Sequence, residues 1–173
     1  MKTTLKLFSL LLLCATVFFT ACQKDNENGT STLNVRLTDS PADYNEVNVD
    51  VKEIRVKFSS DTSDSNWQTL DTHAGIYNLL NFRDGKDTLI ASGTVPSKSI
   101  QQIRLILGEK NSVKVNGIVF PLSIPSGAES GLKLMVNKKL NQPVETITMD
   151  FDAALSIHEE SQGYKLRPVI KIK

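Results

Sequence analysis

Cysteine is nearly absent from this chain. The 173 residues contain two, Cys14 and Cys22. Beyond residue 22 there is therefore no disulfide, no thiolate metal site and no cysteine nucleophile. Histidine is as scarce, with only His73 and His158. Structural or catalytic zinc usually takes three or four clustered ligands, which two scattered histidines do not supply. Glycine-rich nucleotide-binding patterns are missing, both the dinucleotide and the P-loop type. An excess of one charge is missing too: 20 basic residues face 19 acidic ones. Setting aside Lys2 and Lys6 turns the formal net charge of +1 into −1. Such a balance offers no electrostatic footprint for nucleic acid. There is one long apolar run, Leu7 to Phe19, and its 13 residues fall short of the roughly 20 needed to span a bilayer as a helix.

What is present begins with that run. Lys2 and Lys6 precede it, and Thr20-Ala21-Cys22 closes it. Basic start, apolar middle and small-residue end are the anatomy of an export signal, expected over residues 1–21. Phe19-Thr20-Ala21-Cys22 resembles a bacterial lipobox. That resemblance implies that Cys22 becomes the first mature residue and carries diacylglycerol on its thiol. The alternative is an ordinary cleaved signal with an accidental cysteine. Acyl chains contribute about 0.8 kcal/mol per buried methylene, and two or more hold a protein firmly at a membrane. Gln23, Lys24, Asp25, Asn26 and Glu27 resemble the lysine-and-acid signal that sends lipoproteins of the Bacteroidetes to the outer face of the outer membrane. The plain alternative is a solvated linker. Residues 22–31 as a whole read as a flexible tether, polar and without periodicity.

From Thr32 onward the signals are strands. Leu33, Val35 and Leu37 alternate with polar residues, as do Val47, Val49 and Val51. The frame slips at Lys52-Glu53 and resumes at Ile54 and Val56, the mark of a bulge. Ile76 to Phe82 has helical spacing but is too short to stand alone, so a helical turn or a crossing segment is expected. Ser112 to Val115 and Ile118 to Pro121 flank Asn116-Gly117, a type I′ hairpin signal. Ile147, Met149 and Phe151 share a face, with Asp150 and Asp152 on the other. Tyr164, Leu166, Ile170 and Ile172 read as one last strand, at an edge because of Pro168. Nine or ten short strands with little helix predict an all-β fold. Residues 32–173 are expected to form a single antiparallel β-sandwich, immunoglobulin- or transthyretin-like.

Several stretches resemble domain-of-unknown-function family 4382. They are Leu37-Thr38-Asp39-Ser40-Pro41-Ala42-Asp43-Tyr44 with Glu46-Val47-Asn48-Val49, then Ala91-Ser92-Gly93-Thr94-Val95-Pro96 and Gln102-Ile103-Arg104-Leu105. Pro125-Ser126-Gly127, Ser130-Gly131-Leu132-Lys133-Leu134, Asp150-Phe151-Asp152-Ala153 and Leu166-Arg167-Pro168-Val169-Ile170 complete the set. The resemblance implies a secreted or lipid-anchored bacterial β-sandwich and no particular activity.

Candidate chemistry centres on carboxylates. Asp39, Asp43, Glu46 and Asp50 crowd one stretch, and Asp150 and Asp152 could join from another strand. Asp39, Asp43, Asp150 and Asp152 form the candidate set for calcium, the one cofactor considered, which takes about six to eight oxygen ligands. Against it, Asp-Ser-Pro is itself a turn signature, and the spacing is not that of an EF-hand. Two carboxylates about 5–10 Å apart could serve glycoside hydrolysis. Ser156-Ile157-His158-Glu159 has triad residue types, but neighbours on a strand alternate faces. Trp67, Tyr77 and Tyr44 could offer a sugar platform, although Trp67 reads better as core. Asp87-Thr88-Leu89 resembles the O-glycosylation motif of Bacteroidetes exported proteins, with Thr88 as acceptor.

The expectation is a surface-anchored lipoprotein of the outer membrane, held through its N-terminal acyl chains. Its domain would bind or scaffold a glycan or protein partner without catalysis, and would not bind nucleic acid. A small hydrolase acting on polysaccharide or peptide is one alternative. An adhesin-like or structural envelope subunit is another.

Overall fold

Alternation in the sequence becomes pleat in the structure. The computed structural model describes residues 29–61, 63–125 and 131–173, and within them fourteen strands form two sheets. The expected leader 1–21, Cys22 and the patch Gln23 to Glu27 lie outside the described residues.

The smaller sheet is built on β1 (Thr30–Asp39). Its Leu33, Val35 and Leu37 are fully buried. Burying a side chain of this size stabilises a fold by roughly 1.5–3 kcal/mol. β6 (Thr88–Pro96) runs antiparallel along one edge of β1. β11 (Val144–Phe151) runs parallel along the other, from Thr32 opposite Val144 to Asp39 opposite Phe151. β14 (Ile170–Ile172) and β4 (Asp71–Thr72) form the outer edges. The all-β sandwich is therefore as expected, while its pairing is mixed rather than purely antiparallel. A period-2 pattern is the same whichever way a strand runs, so direction is not written in it.

The larger sheet is organised by β2 (Glu46–Lys57), whose register shifts between Val51 and Glu53 as the slipped frame predicts. β2 is long enough to be paired twice along each edge. On one edge lie β3 (Gln68–Thr69) and β5 (Gly75–Asn78). On the other lie β7 (Ser99–Leu107) and β8 (Ser112–Val115). Val51 settles the sides, because it pairs with Gly75 and with Leu107; Asn48 likewise pairs with Asn78 and with Ser112. β7 and β8 are thus one edge of pairing, interrupted by Gly108 to Asn111. β10 (Leu132–Lys139) pairs outside β7, and β9 (Ile118–Ser123) outside β8. Asn116 and Gly117 turn the β8–β9 hairpin with φ of 49° and 83°, as a type I′ turn demands.

Ile76 to Phe82 divides into β5 and a 3-10 turn, Leu79–Phe82. Asn78 caps that turn, its side chain accepting the Leu80 N–H at 3.2 Å. The expected last strand is split. β13 (Gly163–Leu166) pairs with β12 (Ile157–Glu160) and parallel to β9 in the larger sheet, whereas β14 belongs to the smaller one. Arg167-Pro168-Val169 carries the chain across. Pro168 has no N–H to give a ladder, so the pairing breaks there. Between the sheets, Ile147, Met149 and Phe151 from β11 join Val49, Ile54 and Val56 from β2 and Ile103 and Leu105 from β7 in one core.

Candidate functional site

Three of the four candidate calcium ligands come together where β1 and β11 end. Asp39 is 5% exposed. Its Oδ1 accepts the Ala153 N–H at 3.0 Å, and its Oδ2 is buried with no partner among the described residues. Burial pushes its pKa up to about 6, opposed by N–H groups of Ala153 and Ser40 and helped by nearby Asp152 and Asp150. Asp152 caps the short turn Ala153–Ser156, accepting the Leu155 N–H at 2.9 Å. Asp150 lies 2.8 Å from Lys173 Nζ and accepts from the Ser40 hydroxyl at 3.4 Å. Asp43 is exposed on the loop between β1 and β2. Asp152 and Asp150 are thus taken up by a cap and an ammonium group, while Asp39 is half taken up by the Ala153 N–H. Among the described residues, no group of three or more His, Cys, Asp and Glu side chains is arranged to hold a metal ion.

The remaining sequence candidates are dispersed. Ser156 is fully buried. Its Oγ donates to the Asp152 carbonyl at 2.5 Å and accepts the Val169 N–H at 2.9 Å. His158 is exposed on β12, so the serine is committed to structure and the histidine to solvent. Thr88 is half-buried opposite Leu37, and its neighbour Asp87 accepts from Arg36 Nε at 2.7 Å. The aromatic trio does not gather. Tyr77 tilts against Phe82 at 6.3 Å, while Trp67 stacks on Arg104, whose guanidinium carbon is 4.3 Å from the ring centroid.

A concave site among the described residues follows from the interrupted edge of β2. At Gly108 to Asn111 the chain leaves β2 and returns, which parts the β7–β10 half of the sheet from the β8–β9 half. The gap is a cleft of about 650 Å³ lined by Asp50, Lys52, Leu107, Lys110, Leu122 and Ile124, among others. Its floor is tightly tied. The Gly108 N–H donates to the Asp50 carbonyl at 2.6 Å. The Asp50 N–H donates to Asn111 Oδ1 at 2.9 Å, and Asn111 Nδ2 donates to the Gly108 carbonyl at 2.6 Å. Asp50 itself is 3% exposed. Its carboxylate accepts the Lys110 N–H at 3.2 Å and lies 3.3 Å from Lys52 Nζ. Gly108 leaves room for the buried Asp50 carboxylate and the Lys52 stem, which a Cβ there would displace. The result is an apolar wall of Leu107, Leu122 and Ile124 beside charges of both signs.

The family model described as Domain of unknown function (DUF4382) matches residues 30–168. The chain belongs to this family. None of the curated proteins and none of the solved structures compared with it matches. The DUF4382 region contains both halves of the split sheet, the tied floor at Asp50 and the Asp39 corner. It ends before β14, the strand that crosses to the smaller sheet.

Sequence reading placed Asp50 in an acidic stretch and missed its role as the floor of the cleft. The available signal was Gly108-Glu109-Lys110-Asn111, a polar run that breaks alternation between Leu107 and Val113. It reads as a loop between two strands, but nothing local says that both strands return to the same partner. The buried basic residues Lys57, at 0% exposure, and Arg104, at 4%, were also missed. On β7, Arg104 alternates with Ile103 and Leu105 and so reads as solvent-facing.

Proposed function

We propose that this DUF4382 domain is a ligand-binding module, displayed at the bacterial surface by acyl chains on Cys22. The observation that carries the binding role is the cleft at the split in the larger sheet. A sheet interrupted at a glycine, and then tied back by Asn111 and Asp50, is costly to build and yields a preformed concavity. Its apolar wall with mixed charges suits a segment of glycan or peptide that is partly apolar and partly polar. The anchoring role is supported by the lipobox-like Phe19-Thr20-Ala21-Cys22 and by the polar residues between Cys22 and β1.

Two measurements test this. Cells producing the full chain should hold it in the membrane fraction, and Cys22→Ala should release it; a variant that sediments like the wild type overturns the anchor. For the cleft, glycan and peptide panels are screened against the membrane-held protein. Ile124→Arg, which puts a charge in the apolar wall, should weaken a retained ligand by about tenfold or more, or about 1.4 kcal/mol. Equal retention by Ile124→Arg places binding elsewhere.

A further inference from the structure

A second polar site lies on the outer face of the larger sheet, and it shares no residue with the cleft. Trp67, the only tryptophan in the chain, covers β2 and β7 there. The Arg104 guanidinium carbon lies 4.3 Å from its ring centroid, and Lys57 Nζ lies 5.7 Å from it. Lys57 is satisfied, donating to Asp61 Oδ1 at 2.7 Å and to the Ser63 carbonyl at 2.6 Å. The stacked pair is not. Trp67 Nε1 and Arg104 Nε are both buried, and among the described residues neither has a hydrogen-bond acceptor. Leaving a buried donor unmade costs about 1–3 kcal/mol.

The use made of Arg104 is informative. Its Nη2 donates to Asp64 Oδ1 at 2.6 Å, and Lys133 Nζ donates to the same oxygen at 2.8 Å. Asp64 thus meets the guanidinium through one oxygen at one nitrogen. The Nε and Nη2 groups of an arginine form a parallel fork that fits both oxygens of a carboxylate. Here half of that fork is idle. Asp64 is itself two-thirds exposed, with a side-chain exposure of 66%, and its neighbours Ser63 and Ser65 are exposed as well. Arg104, by contrast, is 4% exposed and its stem is gripped, because Gly131 leaves room where a Cβ would stand 2.8 Å from Arg104 Cγ. A fixed receptor is therefore filled by a solvent-exposed, end-on internal carboxylate.

We infer that Arg104, Lys133 and Trp67 form a carboxylate-binding site in which Asp64 is a replaceable occupant. An incoming carboxylate takes the Arg104 fork side-on, adding the Nε bond that Asp64 does not make, while the guanidinium stays stacked on the Trp67 ring. Asp64 is released to water and Lys133 turns to the new anion. The two cations hold Asp64 ionised, with its pKa lowered to about 2, so over the physiological range it competes as an anion. The shared chemistry is the carboxylate; it can come from an acidic sugar or from a simple organic acid.

Because Trp67 is unique, its indole N–H resonance and its fluorescence report on this site alone. The full chain in detergent micelles is titrated with glucuronate, acetate and glucose. Glucuronate should shift the indole signal saturably, with half-saturation on the order of millimolar, and glucose should not. Acetate acting as well as glucuronate means the carboxylate is recognised by itself; glucuronate acting better means the sugar adds contacts. Asp64→Asn removes the internal competitor and should tighten binding by about threefold or more, an outcome that a purely structural ion pair would not produce. Arg104→Lys keeps the charge but loses the fork and should weaken binding by about tenfold. Should that variant fail to fold, the exposed Lys133→Gln should show a weakening of the same sign. The inference is overturned if neither acid moves the Trp67 signal of wild type and Asp64→Asn up to about 50 mM, or if glucose moves it equally. A silent Trp67 leaves the cleft reading intact, since that rests on other residues and another readout.

Discussion

Asp39 is a carboxylate in surroundings that oppose its charge. Burial is the main cause, and Asp152 and Asp150 add repulsion, so its pKa rises from 3.8 to about 6. The folded state therefore favours the protonated form more than the unfolded chain does. The stabilisation that comes with the proton is complete below about pH 4 and is lost as pH rises through about 6. Asp39→Asn keeps an oxygen for the Ala153 N–H and has no charge to bury. It should be more stable than wild type by roughly 2–3 kcal/mol above pH 7, with the gain shrinking to near zero below about pH 4. Urea unfolding at three pH values measures this; a gain independent of pH would show that the charge is not the cause. Asp-Ser-Pro reads as a turn whose own N–H groups Asp39 satisfies, whereas in the structure its carboxylate ends β1 and accepts the N–H of Ala153. That partner was not legible, since Ala153 follows a different strand and no local rule connects them.

The elements divide between local and non-local information. The bulge after Val51, the Asn116-Gly117 hairpin and the buried faces of β1, β2 and β11 were legible because each depends on neighbours along the chain. The parallel partnership of β1 and β11, the transfer of the last strand between sheets and the cleft were not, because each depends on which distant segment a strand meets. The short β4 and β12 carry too few residues for a period to show. Two glycines separate the kinds of constraint. Gly117 needs positive φ, 83°, but has open space around it. Gly117→Ala should cost about 1 kcal/mol. Gly108 is limited by contact with Asp50 and Lys52 instead. Gly108→Ala should cost more, about 2–4 kcal/mol, because it displaces a buried carboxylate and its hydrogen bonds. Thermal unfolding of both variants ranks them; a smaller loss for Gly108→Ala would mean that the floor of the cleft yields easily.

At the scale of the molecule, the strands define two poles. β1 starts beside Ser97, whose N–H donates to the Gly29 carbonyl at 2.9 Å. It ends at Asp39, about 30 Å away, nine steps of roughly 3.3 Å along ten strand residues. The six residues from Ser40 to Asn45 then lead into β2 at that far pole. The β8–β9 tip also lies there, because Gly117 donates its N–H to Asn45 Oδ1 at 3.3 Å. A chain anchored through Cys22 would hold the Gly29 pole toward the lipid and present the hairpin tip outward. Ile118, beside that tip and 60% exposed, is a suitable place for a thiol. In a cell-surface lipoprotein, Ile118→Cys should react with a membrane-impermeant maleimide on intact cells. Lys98→Cys, at the opposite pole and also exposed, should react more slowly with a bulky maleimide and equally once the protein is solubilised. Labelling of Ile118→Cys only after the outer membrane is opened would place the domain on the periplasmic face. Equal rates at both sites on intact cells would mean that the tether, rather than the strand axis, sets how the domain stands on the membrane.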